Sequence, residues 1–367
     1  MMATRAMRGP VLAGPQKLAG WRTSATAPGA LLGASLVVAT YKRPDEMMEL
    51  LGTLLSQVDL IHPDTPDEVV IVDGSPSDEL SARVAEWGAK HELPFDLAYV
   101  RSPAGLTRQR NVGIDVSRGC YVFFLDDDSE PLAGYFREMY RVFTEDREGR
   151  IGALGGSVLN EMDRPIPRRW RLRLRLGLTP PVAPMTYHAS GTSTPKGLMK
   201  PFHGVRRVDV LPGCAFTFRR EVFGEHRFSA FFNGYSQGED LEMSLRVARE
   251  WDVLCCGDAH LLHHAATGGR PASFAKGRME IRNRFFIWKR YVTRAAVSDR
   301  IRFWLDAAFL VAMDLAWFCR RPTKPHALAH AAGVLCAAIE CVFSPPRYEE
   351  PVARPMYAVE WQAHTTV

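Results

Sequence analysis

The stretch that decides the fold spans residues 120–131 and reads CYVFFLDDDSEP. Its first six residues are apolar, aromatic or β-branched, which predicts a buried strand, and Pro131 marks the point where that strand must stop. Asp126, Asp127 and Asp128 follow the strand directly. Three adjacent carboxylates repel each other, so a fold keeps them at a strand end where something cationic lies, and oxygen ligands suit a hard ion such as Mg²⁺ or Mn²⁺. An acidic turn that caps the next helix is the alternative interpretation.

Apolar runs and helical periodicities alternate upstream of this stretch. The pattern predicts strands at residues 35–39, 69–72, 97–100 and 121–125, and helices at 45–57, 78–91 and 106–116. Strands that alternate with helices favour a parallel sheet with crossover helices, which is an α/β fold. Ligands of such sheets bind beyond the carboxyl ends of the strands, where Asp73 and the aspartate triplet both lie.

Composition limits the classes of protein that fit. The chain has 367 residues, of which 46% are hydrophobic and 24% charged, values that suit a large globular α/β domain with two lobes. The formal net charge of +5 is too small to imply nucleic acid, so no nucleic-acid partner is expected. The seven cysteines show no metal-ligand spacing and lie mostly in apolar runs, which predicts buried thiols in a reducing compartment.

The two ends of the chain differ from the middle. Residues 1–33 contain four basic residues and no acidic one, and prolines interrupt their apolar stretches. This composition predicts a disordered basic tail and argues against a secretory signal. Residues 346–367 are predicted to form a loose tail because prolines recur within this stretch.

Besides the aspartate triplet, several stretches follow one another in a fixed order between residues 34 and 290. They are SLVVATYKRP at 35–44, EVVIVDGS at 68–75, LTRQRNVGI at 106–114 and GEDLE at 238–242, followed by Arg246, His264 and the pair Arg282-Asn283. Together this set resembles the motifs of the family 2 glycosyltransferases. The resemblance implies a GT-A (Rossmann-like) mixed sheet flanked by helices, with additional helices at the C-terminus. It also implies inverting transfer of a sugar from a nucleoside-diphosphate sugar, with Mn²⁺ or Mg²⁺ as the cofactor.

The same resemblance implies roles for single residues. The metal would be held by Asp128, Asp126 and His264, although a lone histidine is more often structural. The nucleotide would be bound by Thr40, Tyr41, Arg43, Asp73, Arg110, Asn111, Asp126 and Asp127. Asp73 would read the base, and an Asx turn after the strand is the alternative for that residue. Arg108 is a further candidate beside Arg110, because an arginine offers a bidentate fork to phosphate, but both could instead be solvated helix residues.

Asp240 is the predicted general base, and Glu239 beside it is the second predicted catalytic residue. Residues 241–249 show helical periodicity, so both carboxylates lie at a helix N-terminus, where the helix dipole keeps a carboxylate ionised. A base that takes a proton from an acceptor hydroxyl must be ionised. An ordinary acidic cap is the alternative. The nearby aromatic residues Phe231, Phe232 and Tyr235 suggest an acceptor pocket, although aromatic residues are more often part of a core.

These assignments divide the chain into regions. Residues 34–130 form the predicted nucleotide-sugar-binding half, residues 131–270 the acceptor-binding half, and residues 271–345 a C-terminal helical region. Residues 169–176 read RWRLRLRL, and on a strand this alternation would place four arginines on one face, for an anionic acceptor or lipid headgroups, or as an exposed edge.

The C-terminal region raises the question of membrane contact. Residues 300–318 predict an amphipathic helix with Asp306 and Asp314 on a polar arc, which would lie on a membrane or pack on the catalytic domain. Residues 327–343 are apolar, but His330 and Glu340 make a full span doubtful. We therefore expect a cytoplasmic enzyme, peripheral at the inner face of the cell membrane, that acts on a glycan or lipid-linked acceptor.

Two other functions compete with this interpretation. A sugar-1-phosphate nucleotidyltransferase shares the sheet and the metal carboxylate, but it would need a glycine-rich, lysine-bearing loop where residues 39–44 read ATYKRP. A non-catalytic nucleotide-sugar-binding or membrane scaffold protein would usually have lost the metal or base carboxylates, and this chain keeps both.

Overall fold

The computed structural model describes residues 15–23, 32–57, 64–232, 234–266, 271–347 and 356–362. The strands are β1 (Gln16–Thr23), β2 (Leu32–Thr40), β3 (Glu68–Asp73), β4 (Asp96–Arg101), β5 (Gly119–Asp126), β6 (Ser129–Pro131), β7 (Ile151–Val158), β8 (Val205–Arg207), β9 (Ala215–Arg219), β10 (Asp252–His263) and β11 (Tyr357–Gln362). The α-helices are α1 (Pro44–Ser56), α2 (Glu79–Lys90), α3 (Leu106–Val116), α4 (Tyr135–Glu145), α5 (Arg168–Arg175), α6 (Glu239–Val247), α7 (Ser273–Tyr291), α8 (Val297–Arg320) and α9 (His326–Phe343).

These strands form one mixed sheet. Its order is β11-β1-β4-β3-β2-β5-β9-β7-β10-β6, and β8 pairs with β10. The segment β4-β3-β2-β5 is parallel, and the chain crosses from β4 to the far side of β2 to form β5. This crossing makes a topological switch point beside β2, where a crevice opens at the carboxyl ends of the strands. The predicted fold class is confirmed: a mixed α/β sheet with flanking helices and additional C-terminal helices.

Both faces of the parallel segment are covered, which explains why its strands are apolar throughout. On β2, Leu36 and Val38 pack on the face that also carries α1, α2 and α4, whereas Val37 packs on the face that carries α3. Helix α3 lies very close to β2, because a Cβ atom added at Gly113 would stand 2.1 Å from the Val37 side chain. This close approach fixes the end of α3 that carries Arg110 next to the switch point.

The tails differ from the prediction of disorder. Residues 16–23 form β1, which pairs antiparallel with β4 and parallel with β11, a strand within the predicted loose C-terminal tail. The pairing has a packing cause, because Trp21 stacks on Tyr99 with ring centroids 5.7 Å apart and Leu18 is buried. The remaining parts of the predicted N-terminal tail, residues 1–14 and 24–31, lie outside the described residues.

Residues 168–175 form helix α5, so the predicted strand at this place was wrong. On a helix, Arg169 and Arg173 lie one turn apart on the same face. Arg169 pairs with Asp314 at 3.0 Å and Arg173 with Asp306 at 2.5 Å. The arginines therefore do not form one strand face, because two of them are held by carboxylates of α8.

Helices α7, α8 and α9 build a separate apolar core around residues such as Phe285, Phe303 and Val334. Two glycines let α7 and α9 cross closely: a Cβ atom at Gly277 would stand 2.2 Å from the His330 carbonyl oxygen, and one at Gly333 would stand 2.1 Å from that of Phe274. Among the described residues, one helix, His326–Phe343, has the length and composition to cross a membrane, with a mean hydropathy of 1.6.

Candidate functional site

A cavity of about 850 Å³ opens at the switch point of the sheet. It is bounded by the loops after β2 and β5, the N-termini of α3 and α6, the end of β10, and one side of α7. The predicted residues that line it are Thr40, Tyr41, Arg43, Arg110, Asp126, Asp127, Asp128, Glu239 and Asp240. Segments that are far apart in the sequence thus bring most of the predicted site into one cavity.

Three side chains at the edge of this cavity form a group with the chemistry of a metal site. One ligand atom each from Asp126, Asp128 and His263 lies within 4.8 Å of the others. The buried Oδ1 of Asp128 accepts no well-formed hydrogen bond from the described residues, and its contact with His263 Nε2, at 3.4 Å, is a long ion pair. A buried acceptor without a well-formed hydrogen bond is unusual and calls for an explanation, such as an ion. Two carboxylates and one imidazole therefore fit a divalent cation.

The pKa shifts of His263 and Asp128 indicate that this group stabilises positive charge at its position. The close contact with the Asp128 carboxylate, and then the hydrogen bond to Glu161, raise the pKa of His263 to about 9. Burial raises the pKa of Asp128, but the contact with His263 and the hydrogen bond from the Ala266 N–H outweigh it and hold that pKa below its usual value.

His264, the predicted metal ligand, is not part of this group, whose histidine is His263. Its Nε2 lies 2.8 Å from Glu130 at the surface. The antiparallel pairing of β6 with β10 places His263 opposite Ser129, the residue after the aspartate triplet. Successive side chains of a strand point to opposite faces, so His264 is directed away from the triplet.

Glu161 and Lys196 support His263 and were not expected from the sequence. Nδ1 of His263 lies 3.0 Å from Glu161 Oε1, and the other oxygen of Glu161 lies 2.7 Å from Lys196 Nζ. The hydrogen bond from His263 lowers the pKa of Glu161 to about 2. A carboxylate behind a metal-ligating histidine fixes its ring orientation. The available signal was that Glu161, like the aspartate triplet, closely follows a buried strand, here β7.

Asp127 organises the loop after β2. Its two oxygens accept hydrogen bonds from Thr40 Oγ1 at 2.8 Å and from Arg43 Nη1 at 2.9 Å. Burial raises the pKa of Asp127 to about 6, and Arg43 acts against that rise. Arg43 Nη1 also lies 3.6 Å from Asp128, so this arginine connects the β2 loop to the candidate metal group.

Two predicted nucleotide contacts lie elsewhere. Asp73 is fully buried and accepts hydrogen bonds from the Tyr99 hydroxyl and the Ser75 N–H, both at 2.7 Å, which makes it the Asx turn that the sequence left as an alternative. Asn111 is also buried, and its side-chain amide makes two hydrogen bonds to the backbone of Phe228, each 2.9 Å long. Neither residue is among the described residues that line the cavity. Both are occupied by internal contacts.

The predicted base lies on the opposite side of the cavity. Helix α6 begins at Glu239, directly after Gly238 with its positive φ of 94°. Asp240 faces the cavity and accepts hydrogen bonds from Leu241 N at 2.8 Å and Gly213 N at 3.3 Å. Of the two adjacent carboxylates, Asp240 is the more accessible to an acceptor.

Glu239 is held in the protein by Arg110. Arg110 Nη1 lies 2.9 Å from Glu239 Oε1, and Nη2 lies 3.2 Å from Asp126 Oδ1. Burial, together with the neighbouring charge of Asp240, raises the pKa of Glu239 to about 8. Arg110 therefore joins the candidate metal group to the start of α6 and is itself buried, whereas Arg108 is exposed on α3.

The rest of the cavity wall comes from loops and from α7. Lys42, Ser236 and Ala265 have φ angles of 56°, 57° and 53°, and the loops that hold them border the cavity. Left-handed backbone at non-glycine residues tends to cluster at functional sites. Helix α7 contributes Met279, Glu280, Asn283, Arg284 and Ile287. Of the aromatic residues expected near the acceptor, Tyr235 lines the cavity, whereas Phe232 is buried and Phe231 stacks on Phe286.

Known proteins resemble this chain in sequence and in structure. Succinoglycan biosynthesis protein ExoM of Rhizobium meliloti (strain 1021) is 37% identical over 108 residues, which cover 29% of this chain and 33% of ExoM, so the match spans about a third of that relative. The crystal structure of GalNAc-T7 with UDP, GalNAc and Mn²⁺ gives a TM-score of 0.49 at 16% identity and covers 71% of this chain and 50% of that one. The mannosyltransferase PcManGT from Pyrobaculum calidifontis, in complex with GDP-Man and Mn²⁺, gives 0.48 at 14% identity, with coverage of 91% and 90%.

A family model covers a larger part of the chain than the match to ExoM does. The model described as Glycosyl transferase family 2 matches residues 35–226, which is more than half of the chain and includes the β2 loop and the aspartate triplet. The chain therefore belongs to glycosyl transferase family 2, as its motifs predicted.

Proposed function

We propose that the protein is an inverting glycosyltransferase that moves a sugar from a nucleoside-diphosphate sugar to a hydroxyl of a glycan, glycolipid or other acceptor. The observation that carries this proposal is that one cavity contains both a candidate cation site and a separate accessible carboxylate. Asp126, Asp128 and His263 form the first, and Asp240 is the second. A donor bound at the candidate cation site would present its sugar toward Asp240.

The candidate metal group would hold Mn²⁺ or Mg²⁺. When bound, such an ion acts as a Lewis acid toward the departing diphosphate and orients it. Arg43 adds positive charge on the same side of the cavity and holds Asp127 and Asp128 in place. Arg110 keeps Asp126 in position from behind, while Glu161 orients His263.

Asp240 would act as the general base. It would accept the proton of the acceptor hydroxyl as the hydroxyl oxygen forms its bond to C1 of the sugar. The bond between C1 and the diphosphate oxygen breaks in the same step, and its electron pair leaves with the nucleoside diphosphate. A single displacement of this kind inverts the configuration at C1, and we assign inversion from the family resemblance.

The acceptor would bind against α7 and the loop around Tyr235. The name of ExoM places that relative in the biosynthesis of a polysaccharide, so we infer a saccharide acceptor, free or lipid-linked. We propose that the enzyme is cytoplasmic and in contact with the inner face of the cell membrane.

A screen of nucleotide sugars by thermal shift, with Mn²⁺ or with a chelator, tests this function. We expect one donor to raise the unfolding temperature in the presence of Mn²⁺ and to release its nucleoside diphosphate on incubation. The Asp128→Asn variant should lose the shift, whereas Asp258→Asn, a change outside the cavity, should keep it. Binding of a donor without any release of nucleoside diphosphate would instead favour a non-catalytic binding protein.

A further inference from the structure

Helices α8 and α9 expose apolar side chains in two continuous stripes. The stripe on α8 consists of Val297, Ile301, Leu305, Ala308, Ala312 and Leu315, which follow one another at steps of three or four residues. The stripe on α9 consists of Leu328, Ala332, Leu335, Ile339, Val342 and Phe343, with the same spacing except at its last step. All of these residues are exposed, from 41% at Leu315 to 83% at Phe343 among the large ones. We call the two stripes together the outer face.

The charged arc of α8 points the other way, into the protein. Asp306 and Asp314 are 0% and 4% exposed. Asp306 pairs with Arg173 at 2.5 Å and with Arg284 at 2.8 Å, and Asp314 pairs with His330 at 2.6 Å. A helix at a water-exposed surface usually has the opposite arrangement, with apolar residues inside and charges outside. The inward side of α8 also holds the buried Phe303, Ala307 and Leu310, so apolar side chains lie on both sides of the helix and two carboxylates lie inside. This arrangement indicates that the outer side of α8 also faces apolar surroundings.

Basic residues surround the outer face. Arg294, Arg300 and Arg302 lie at or near the N-terminus of α8, and Arg320, Arg321 and Lys324 lie at its C-terminus and in the following turn; all are exposed. The acidic groups nearby are already paired: Asp299 with Arg302 at 3.1 Å, and Glu340 of α9 with Arg278 at 2.9 Å. A second copy of this chain would bring a rim of the same charge against this one. An anionic lipid surface has the complementary charge.

We propose that the outer face lies on an anionic lipid bilayer, with α8 and α9 in the plane of the interface. An apolar face combined with flanking lysines and arginines is the pattern of an interfacial helix. The opposite side of α9 is covered by protein, because Ala331, Val334 and Ala337 are buried and Gly333 lies against α7. The bilayer therefore meets one side of each helix, and neither helix crosses it.

This position of the outer face would have a consequence for the acceptor, a point that rests on the proposed function. Helix α7 forms a wall of the cavity through Met279, Asn283 and Ile287. The same helix packs on α8, with the rings of Phe285 and Phe303 5.9 Å apart, and crosses α9 at Gly277. A bilayer at the outer face would thus lie two helix layers away from the cavity, first α7 and then the layer of α8 and α9, and from this proximity we infer a lipid-linked acceptor rather than a soluble one.

Co-sedimentation of the full-length protein with vesicles tests the docking surface. One set of vesicles contains equal parts of phosphatidylglycerol and phosphatidylcholine, and the other contains phosphatidylcholine alone. We expect binding to the anionic vesicles that weakens at high salt. Leu305→Glu combined with Leu335→Glu should reduce partitioning at least tenfold, and Arg320→Gln combined with Lys324→Gln should reduce it severalfold. The matched control is Ile166→Glu with Val205→Glu, two exposed apolar residues outside the outer face, which should bind like the wild type.

Three results would overturn the proposal. The wild-type protein could stay in the supernatant with both kinds of vesicle, or the leucine double variant could bind vesicles like the wild type. In the third result, light scattering would show that the wild type is a dimer and the leucine double variant a monomer. The third result would assign the outer face to a second copy of the chain. The donor-dependent thermal shift is measured on the same variants and should be unchanged. If the protein does not bind vesicles but the donor still raises its unfolding temperature, the docking surface alone is refuted. If it binds vesicles but no donor raises its unfolding temperature, the proposed function alone is refuted.

Discussion

The Asp240→Asn substitution separates a general base from a helix cap. The side-chain oxygen of the new amide can still accept one of the two backbone hydrogen bonds, from Leu241 N or from Gly213 N, so the variant loses about one hydrogen bond, worth about 1 kcal/mol of stability. Loss of general-base catalysis typically lowers the rate by about 10²–10⁴. At about 1.4 kcal/mol per factor of ten, the barrier rises by about 3–5 kcal/mol. The effect on catalysis should therefore exceed the effect on folding.

Glu239→Gln is the matched control. Its side-chain oxygen can keep the hydrogen bond from Arg110, and because the pKa of Glu239 is raised to about 8, removal of the ionisable group changes little charge near neutral pH. We expect a rate loss of less than about tenfold, since no proton-transfer role is removed. The assay follows release of nucleoside diphosphate, and a thermal titration gives donor affinity. Asp240→Asn with turnover within tenfold of wild type, or with equal losses of turnover and donor affinity, would refute the assignment of the base.

Three further predictions concern the metal, the helical core and pH. Asp128→Asn should abolish the Mn²⁺-dependent stabilisation by nucleoside diphosphate. In the wild type this stabilisation amounts to about 2.7 kcal/mol at a ligand concentration about 100 times Kd. A thermal shift with unchanged metal dependence would contradict the metal assignment. Asp306→Ala should lower the free energy of unfolding in urea by about 3–5 kcal/mol, because it leaves Arg173 and Arg284 without their buried carboxylate, whereas Asp299→Ala should cost less than about 1 kcal/mol. Hydrogen bonds to Glu280 and then to Asp314 raise the pKa of His330, so its protonated form stabilises the fold fully below the unfolded value of 6.5 and loses this effect as pH rises through the raised value. The difference in unfolding temperature between the wild type and His330→Gln should therefore shrink on going to alkaline pH, and a constant difference would show that the ion pairs do not contribute.

The fold and most of the site were predictable because they depend on local patterns and on the geometry of a parallel sheet. The α3 bounds match the prediction, and the strands and helices from β2 to β5 agree within a few residues. Parallel strands place their carboxyl ends at one edge, so Asp126, Asp128 and the β2 loop were expected to meet. The division of the chain into two halves and a helical region stays a prediction.

The alternation of side chains along β10 separates His263 from His264. In β10, Ala259 and Leu261 are buried, and the alternation of a strand places His263 on the same side of the sheet as these residues. The resemblance indicated the region of the histidine but did not distinguish His263 from His264. The strand alternation distinguishes them, because adjacent side chains of a strand lie on opposite faces. Asp73 is a different case, because its partner Tyr99 lies on the neighbouring strand β4 and no local pattern announces that hydrogen bond.

Helix α5 and strand β1 show where local patterns fail. The sequence RWRLRLRL alternates as a strand would, yet it folds as a helix, on which Arg169 and Arg173 pair with Asp314 and Asp306, more than 100 residues later. Strand β1 forms because β4 offers an open edge and Tyr99 a partner for Trp21. In both cases the deciding contact is distant in sequence, and tertiary contacts override intrinsic preference.

The parallel pairing of β1 with β11 has a consequence for how the chain is made and for how it can be cut. Helices α7 to α9 lie between β10 and β11, so both ends of this segment are anchored in the same sheet. During synthesis, β1 must wait for almost the entire chain before it meets β11, and such long-range pairing is slow to form. A truncation near residue 300 would remove α8 and α9 and also leave the backbone of β1 as an unpaired, aggregation-prone edge. Point substitutions are therefore the sounder way to dissect the C-terminal region, and chains shortened there are expected to be poorly soluble for reasons unrelated to catalysis.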